Sequence, residues 1–331
     1  MNYGQMGKQR LTNRSRRTWQ KAATPLSFAL AGEFKVLRRY ILILVFLFLP
    51  CIVLADDNEL LPDLNEEIIQ VPMAIESIWG KKEIQLTATI FRPQGNGPFP
   101  LIILSHGNPP NASDRPKIGR YRIIPQIREF IQRGFAVIVP IRRGYGVTGG
   151  AFAEDYGKCS MAFYYDAGLE AAKDIIATRE YAIKLPYVIP KSVLLVGQSA
   201  GGFASLAAAS QNPPGLLGVI NFAGGRGGRP KTHPGEPCSP EQMAITISKF
   251  ARNIKVPVLW HYAENDKYFG PHHVKSWFAA FQNAGGKGRL IIQPPFGEDG
   301  HSIFSSKRGI PIWTKEIDSF FNELGITSYS K

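Results

Sequence analysis

The residues best suited to chemistry lie in Leu194-Leu195-Val196-Gly197-Gln198-Ser199-Ala200-Gly201-Gly202, where an apolar run meets the pattern G-x-S-x-G. The run reads as a buried strand. Phe203 to Ser210, small and apolar, reads as a tightly packed helix, so Ser199 is expected at a sharp strand–helix corner. A serine hydroxyl is a weak nucleophile until a base takes its proton, and the base needs an acid to orient it. In this type of sheet the order along the chain is serine, acid, histidine. Asp266 follows the strand ending at Trp260, and His301 lies in the loop Gly297-Glu298-Asp299-Gly300-His301 after the last strand. Glu264 is the rival acid, and Asp266 is preferred because it lies further out in the loop. The plain alternative for Ser199 is a glycine-rich turn with no chemistry.

Acyl transfer also needs two N–H donors for the oxyanion. The Ala200 N–H, just past the serine, is one candidate. The other should come from Ser105-His106-Gly107-Asn108-Pro109-Pro110. Pro109 and Pro110 have no N–H, which leaves Asn108 as the last donor of that loop. His106 is then expected to be structural. Within Arg142-Arg143-Gly144-Tyr145-Gly146, Arg143 and Tyr145 could bind a substrate carboxylate, or form a glycine-rich turn with solvated arginines. His261 reads as buried at a strand end, and His272-His273 as the start of a helix. No histidine pair shows metal-ligand spacing with a third ligand nearby, so neither metal nor cofactor is expected.

The elements that must hold these residues are legible from hydrophobic pattern. Strand signals begin at Val71 and at Ile84 to Arg92. Six short apolar runs follow: Leu101–Leu104, Ala136–Val139, Val193–Val196, Leu217–Phe222, Val256–Trp260 and Leu290–Ile292. Pro125 to Arg133, Asp166 to Arg179, the stretch after Ser199 and His273 to Asn283 carry apolar residues at helical spacing. Buried strands alternating with helices imply an α/β fold, a mostly parallel central sheet with helices on both faces. Gly224 to Pro240 reads as an irregular insertion over the C-terminal ends of the strands. It is too short and polar for a large lid, so a small lid or none is expected.

Arg38-Arg39-Tyr40 leads into Ile41 to Leu54, apolar apart from Pro50, and then Ala55-Asp56-Asp57. A basic start, a short apolar run and a small residue at Ala55 describe a signal peptide over residues 1–55 with an extended N-terminal region. The expected destination is secreted or periplasmic, with an N-terminal membrane anchor as the alternative. Residues 56–70 read as a mobile lead-in and 71–331 as the catalytic domain. The formal charge of +13 is largely a property of the leader: residues 1–55 carry nine Lys/Arg and one Asp/Glu, or +8, and leave about +5 downstream. No basic stripe interleaved with aromatics is present, so nucleic acid is not an expected partner. Membrane association is expected only through an uncleaved leader. Beyond Cys51, the two cysteines Cys159 and Cys238 could form one disulfide in an oxidising compartment or remain thiols.

Over about residues 84 to 325 the chain resembles the α/β-hydrolases, especially their dienelactone-hydrolase-like and prolyl-oligopeptidase-like branches. The resemblance rests on His106-Gly107-Asn108, on Arg143 to Gly146, on the corner Gly197 to Gly202, and on Asp266 and His301. It implies the α/β-hydrolase fold and hydrolysis through an acyl-enzyme. The dienelactone hydrolases proper use a cysteine nucleophile where this chain has Ser199. The expected activity is that of a serine hydrolase, a carboxylesterase on small or medium esters. A small-peptide serine peptidase and a non-catalytic cell-envelope binding protein are the alternatives.

Overall fold

Side chains along β3 (Phe99–Ser105) divide between two cores: Leu101 and Ile103 enter one, Ile102 and Leu104 the other. β7 (Val188–Gln198) repeats the division, with Val193 and Leu195 on the first side and Leu194 and Val196 on the second. A strand apolar on both faces is what a parallel sheet covered on both sides requires. The computed structural model describes residues 59–77 and 80–326. The expected leader, residues 1–55 with Cys51, lies outside them.

The remaining strands are β1 (Glu67–Ser77), β2 (Gly80–Phe91), β4 (Ala136–Pro140), the short hairpin β5 (Gly157–Lys158) and β6 (Met161–Ala162), β8 (Leu216–Phe222), β9 (Val258–Ala263) and β10 (Gly288–Gln293). Among the described residues the main sheet runs β1-β2-β4-β3-β7-β8-β9-β10. The pairs β1–β2 and β2–β4 are antiparallel and the others parallel. Five of the six apolar runs lie within strands, and the sixth, Val256–Trp260, enters β9 at Val258. The fold is that of the α/β-hydrolases, and it places the ends of β3, β7, β9 and β10 along one rim, where their loops can converge.

Helices α1 (Ile124–Gln132) and α6 (Ile310–Glu323) cover one face, through Ile127 and Phe130 and through Trp313, Ile317 and Phe320. The other face carries α2 (Tyr164–Ala182), α3 (Ala200–Ala209), α4 (Pro240–Ala251) and α5 (Pro271–Asn283). Every residue of α3 is buried, which only a helix of alanine, glycine and a few larger apolar residues permits at this proximity to neighbours. Helices α4 and α6 were not anticipated, although Met243, Ile247 and Phe250, and Trp313, Ile317 and Phe320, keep helical spacing. No helix among the described residues is long and apolar enough to cross a membrane.

The acidic stretch 56–70, expected as a mobile lead-in, is part of the fold from Leu60 onward, eleven residues before Val71. Glu66 has a wholly buried side chain that accepts from the Leu61 N–H at 2.9 Å and from Arg120 and Arg122 at 2.7 Å. These arginines lie more than fifty residues away, so local composition could not reveal the pairing. Cys159, in the β5–β6 hairpin, is disulfide-bonded to Cys238, with Cα atoms 4.9 Å apart. The bond ties that hairpin to the 224–240 segment.

Candidate active site

Ser199 occupies the corner between β7 and α3 with φ +56° and ψ −123°. A non-glycine residue is rarely found there, and the surroundings explain how it is held. A Cβ on Gly197 would overlap the backbone of Gly201, and one on Gly201 would overlap the backbone of Ser105. Both glycines are therefore imposed by backbone packing around the corner. The Ser199 N–H donates to Phe222 O at 2.9 Å, and its carbonyl accepts from Gly225 N at 3.2 Å.

His301 Nδ1 lies 3.1 and 3.0 Å from the two carboxylate oxygens of Asp266. Asp266 Oδ1 also accepts from the N–H groups of Tyr268 and Phe269, at 2.8 and 3.0 Å, so the carboxylate is fixed by its own loop. Asp299 accepts from the N–H of His301 and of Lys267, each at 3.0 Å, and fastens the two loops together. The Tyr268 ring stacks on the imidazole with centroids 4.0 Å apart. Glu264 is exposed and makes no hydrogen bond to His301, so the geometry selects Asp266. With Nδ1–H directed at the carboxylate, Nε2 is left as the basic nitrogen. Ser199 and His301 line one cavity of about 300 Å³, together with His106, Asn108, Ile118, Tyr121 and Tyr268. No hydrogen bond joins the serine hydroxyl to the imidazole, a loose geometry common in such sites without a bound substrate.

The loop after β3 reaches the same point. Asn108 lines the cavity and its N–H has no hydrogen-bond partner among the described residues. The Ala200 N–H, first in α3, has no acceptor within the helix. Asn108 Oδ1 accepts from Arg115 Nε at 3.0 Å and lies 3.1 Å from the Tyr145 hydroxyl. His106 holds the loop from below: Nδ1 donates to Gly107 O at 2.7 Å and Nε2 accepts from Arg142 N at 3.2 Å. Burial and the neighbouring Arg142 push its pKa down to about 3, so the ring is neutral and structural.

Beneath the loop lies a buried cluster that sequence reading missed. Glu154 is bound by both Arg142 and Arg226. Burial would raise its pKa, but the two guanidiniums reverse that and hold it at about 2. Arg142 also donates to Ser105 Oγ at 2.9 Å and to His106 O at 2.8 Å. These partners come from segments far apart in sequence, so no local pattern signals the pairing.

The structure does not bring Arg143 or Tyr145 to the cavity as substrate-binding groups. Arg143 Nε is bound to Asp174 at 2.5 Å and its Nη2 donates to Glu170 O at 2.8 Å. Tyr145 is wholly buried and meets the site through Asn108 and through His106, against which its ring packs edge-on with centroids 4.7 Å apart. A second, more polar cavity of about 190 Å³ shares Asn108, Pro109, Ser199 and Tyr268 with the first and is lined also by Arg115, Tyr156, Ala200, Arg226 and Gly227. Arg115 lies over the Phe152 ring and, among the described residues, has no carboxylate partner. The 224–240 insertion thus forms one wall of the site, as its position in the chain suggested.

One expectation about metals needs correcting. His272 and His273 do have a third potential ligand, Glu236, and the donor atoms of the three lie within 4.8 Å of one another. None of the three lines either cavity beside Ser199. His261 is buried, with Nε2 facing Gln293 Nε2 at 3.3 Å.

Residues 123–317, more than half of the chain, match the sequence profile of the dienelactone hydrolase family. No curated protein matches the chain. Among solved structures, Est1E from Butyrivibrio proteoclasticus is similar with 18% identity and a TM-score of 0.50, over 77% of this chain and 99% of that one. The Pyrococcus horikoshii acylaminoacyl peptidase gives 18% identity and a TM-score of 0.55, over 80% of this chain but 43% of its own. Porphyromonas gingivalis dipeptidyl peptidase 4 gives 15% identity and 0.54, over 78% of this chain and 35% of its own. This chain therefore spans less than half the length of those two peptidases. At these identities the structural likeness speaks for the fold alone.

Proposed function

Because the chain belongs to the dienelactone hydrolase family, we propose that it is a serine hydrolase, a carboxylesterase acting on small or medium esters through an acyl-enzyme on Ser199. The observation that carries this reading is His301 held by Asp266 at 3.0 Å through Nδ1 while the same residue lines one cavity with Ser199. His301 Nε2 takes the hydroxyl proton as Ser199 Oγ attacks the ester carbonyl. The oxyanion is received by the N–H groups of Ala200 and Asn108. As the tetrahedral intermediate collapses, the imidazolium gives its proton to the leaving alkoxide. Water then repeats the sequence on the acyl-enzyme and frees the acid.

The leaving group must depart beside His301, on the side of the larger cavity with Ile118, Tyr121 and Pro109. The acyl group then occupies the smaller cavity, beside Arg115 and Arg226. A short polar acyl group and a larger, more apolar alcohol fit this division. Est1E, one of the similar structures, has also been solved with ferulic acid bound, an acid of modest size. A peptidase that holds a free N-terminal amine needs a carboxylate at the site, and neither cavity is lined by an Asp or Glu. The basic, apolar and small-residue order of residues 1–55 supports export, and the Cys159–Cys238 disulfide suits an oxidising compartment.

Fluorophosphonate labelling of the wild type and of Ser199→Ala tests the chemistry. Labelling lost in the variant, with ester turnover lost in His301→Ala, is the expected result. A folded wild type that does not label would leave a non-catalytic binding protein as the better reading. Unchanged turnover in His301→Ala would sink the mechanism.

A further inference from the structure

Glu236 lies in the 224–240 segment, whereas His272 and His273 open α5, 36 and 37 residues later. Their side chains nevertheless converge. His273 Nε2 lies 2.7 Å from Glu236 Oε2, and His272 Nε2 lies 3.5 Å from Glu236 Oε1. The two imidazole rings sit 3.8 Å apart between centroids. Two imidazoles and one carboxylate form a donor set suited to zinc and similar borderline divalent ions. Bonds of about 2.0–2.2 Å in a tetrahedral site put neighbouring donors about 3.3–3.6 Å apart, and one donor atom from each of the three residues already lies within 4.8 Å of the others.

The backbone brings the three together before any ion arrives. Gly235 N donates to Lys267 O at 2.7 Å, and Gly270 N donates to Gly235 O at 2.8 Å, so the residue before Glu236 is stitched to the turn just ahead of His272. Glu236 N donates to His233 O at 3.0 Å, and Arg229 Nε donates to Glu236 O at 3.1 Å. His273 packs beside Trp277, with rings 6.3 Å apart and 25° from parallel. His272 and Glu236 are more than half exposed at their side chains, which leaves a coordination position open to water. Preorganisation of this kind lowers the entropy lost when the ion binds.

We propose that Glu236, His272 and His273 form a binding site for one divalent transition-metal ion of the zinc type, outside the hydrolytic centre. The ion is held by the two Nε2 atoms and a Glu236 oxygen, with water completing the tetrahedron. Binding through Nε2 replaces the Glu236–His273 hydrogen bond with two bonds to the ion. Its effect is to clamp the segment that supplies Gly225 to Gly228 of the cavity wall onto the loop 266–270 that carries Asp266. This inference does not depend on the ester-hydrolase reading.

The test is zinc chloride titrated by calorimetry into the full chain without a histidine tag, beside Glu236→Gln, His272→Ala and His273→Ala. The expected result is one ion per chain in the wild type, a rise in Tm reversed by EDTA, and loss of both in each variant. His272→Ala, at an exposed side chain, should keep the wild-type Tm without metal and therefore reports binding rather than folding. Absence of stoichiometric binding in the wild type overturns the site. Binding that survives in the variants places the ion on other donors, such as His301 with Asp266, and overturns it equally.

Discussion

The Tyr145 hydroxyl lies 3.1 Å from Asn108 Oδ1 and also 3.1 Å from Glu154 Oε2, joining the loop that would hold an oxyanion to a buried charge cluster. Glu154 is in turn gripped by Arg142 and Arg226. Position therefore passes from a rigid interior to the Asn108 N–H, and from Arg226 to the wall of the smaller cavity. A buried network of this kind holds donors in place before reaction, which is where electrostatic stabilisation of a developing charge comes from.

Tyr145→Phe cuts one link of that chain without opening a large cavity. A lost oxyanion donor costs roughly 10²–10³ in kcat. A donor that is only loosened should cost less, about tenfold, with KM nearly unchanged because no substrate contact is removed. Steady-state kinetics on a small activated ester reads both constants. An unchanged kcat would mean that Asn108 is held well enough by Arg115 alone.

Asp266 and Glu264 stand two residues apart, but only Asp266 reaches His301. Asp266→Asn should lower kcat by about 10³–10⁴, because the imidazole loses both its tautomer control and the stabiliser of its charged form. Glu264→Gln should leave kcat within about twofold, as expected of an exposed group outside the reacting centre. Comparable losses in the two variants would reassign the acid.

How far the sequence carried the reading follows from the range of each interaction. Ser199, Asp266, His301, Ala200 and Asn108 could be singled out as candidates because each follows a strand whose apolar run is short and unmistakable. A mostly parallel sheet was implied by the same pattern, whereas the antiparallel pairings β1–β2 and β2–β4 were not. The roles of Arg143 and Tyr145 were not, because a glycine-rich turn with two arginines looks solvated until Asp174 and Glu154 come from other segments to pair with it. Glu66 was hidden in the same way by Arg120 and Arg122. Glu236 shows the limit most plainly: its spacing from His272 carries no signal, and only the stitching of Gly235 to Lys267 and Gly270 brings it near.

Among the described residues Arg115 has no carboxylate partner, and it lines the smaller cavity. An ester whose acyl group ends in a carboxylate should therefore be turned over with a higher kcat/KM than its neutral isostere. Arg115→Gln should remove that preference by about tenfold, roughly the value of one partly screened charge-assisted hydrogen bond. The ratio between the two substrates is the useful readout, since any disturbance of Asn108 affects both. A ratio unmoved by the substitution would place the acyl group elsewhere.

Acid should destabilise the fold from pH 6.5 downward. Burial pushes His106 down to about 3, with Arg142 adding to it, and burial pushes His261 down to about 4. Below 6.5 the unfolded chain takes up protons that these folded histidines refuse. Stability is thus fully present above 6.5 and falls as pH drops, by roughly 1.4 kcal/mol per pH unit for each. Asp174, raised to about 6 by burial despite Arg143, acts in the opposite sense below that pH. Comparing His106→Asn with the wild type cancels Asp174. Urea midpoints between pH 6.5 and 5 should show a shallower decline in the variant, and identical slopes would contradict a neutral, buried His106.

The disulfide offers the last test, because it joins stability to the site. Cys159 and Cys238 are 79 residues apart, and closing a loop of that size is worth about 4 kcal/mol on the chain-entropy model. The double substitution Cys159→Ser with Cys238→Ser should lower unfolding free energy by up to that amount, and dithiothreitol should do the same to the wild type alone. Activity should fall as well. Cys238 N donates to Gly227 O at 2.8 Å, and Tyr164 donates its hydroxyl to Cys238 O at 2.6 Å. Gly227 lines the smaller cavity next to Arg226, so a released Cys238 loosens the acyl side of the site before it touches Ser199. KM should therefore rise more than kcat falls. A lower Tm with both constants unchanged would show that the hydrogen bonds alone hold the wall, and that the disulfide serves only the unfolded-state entropy.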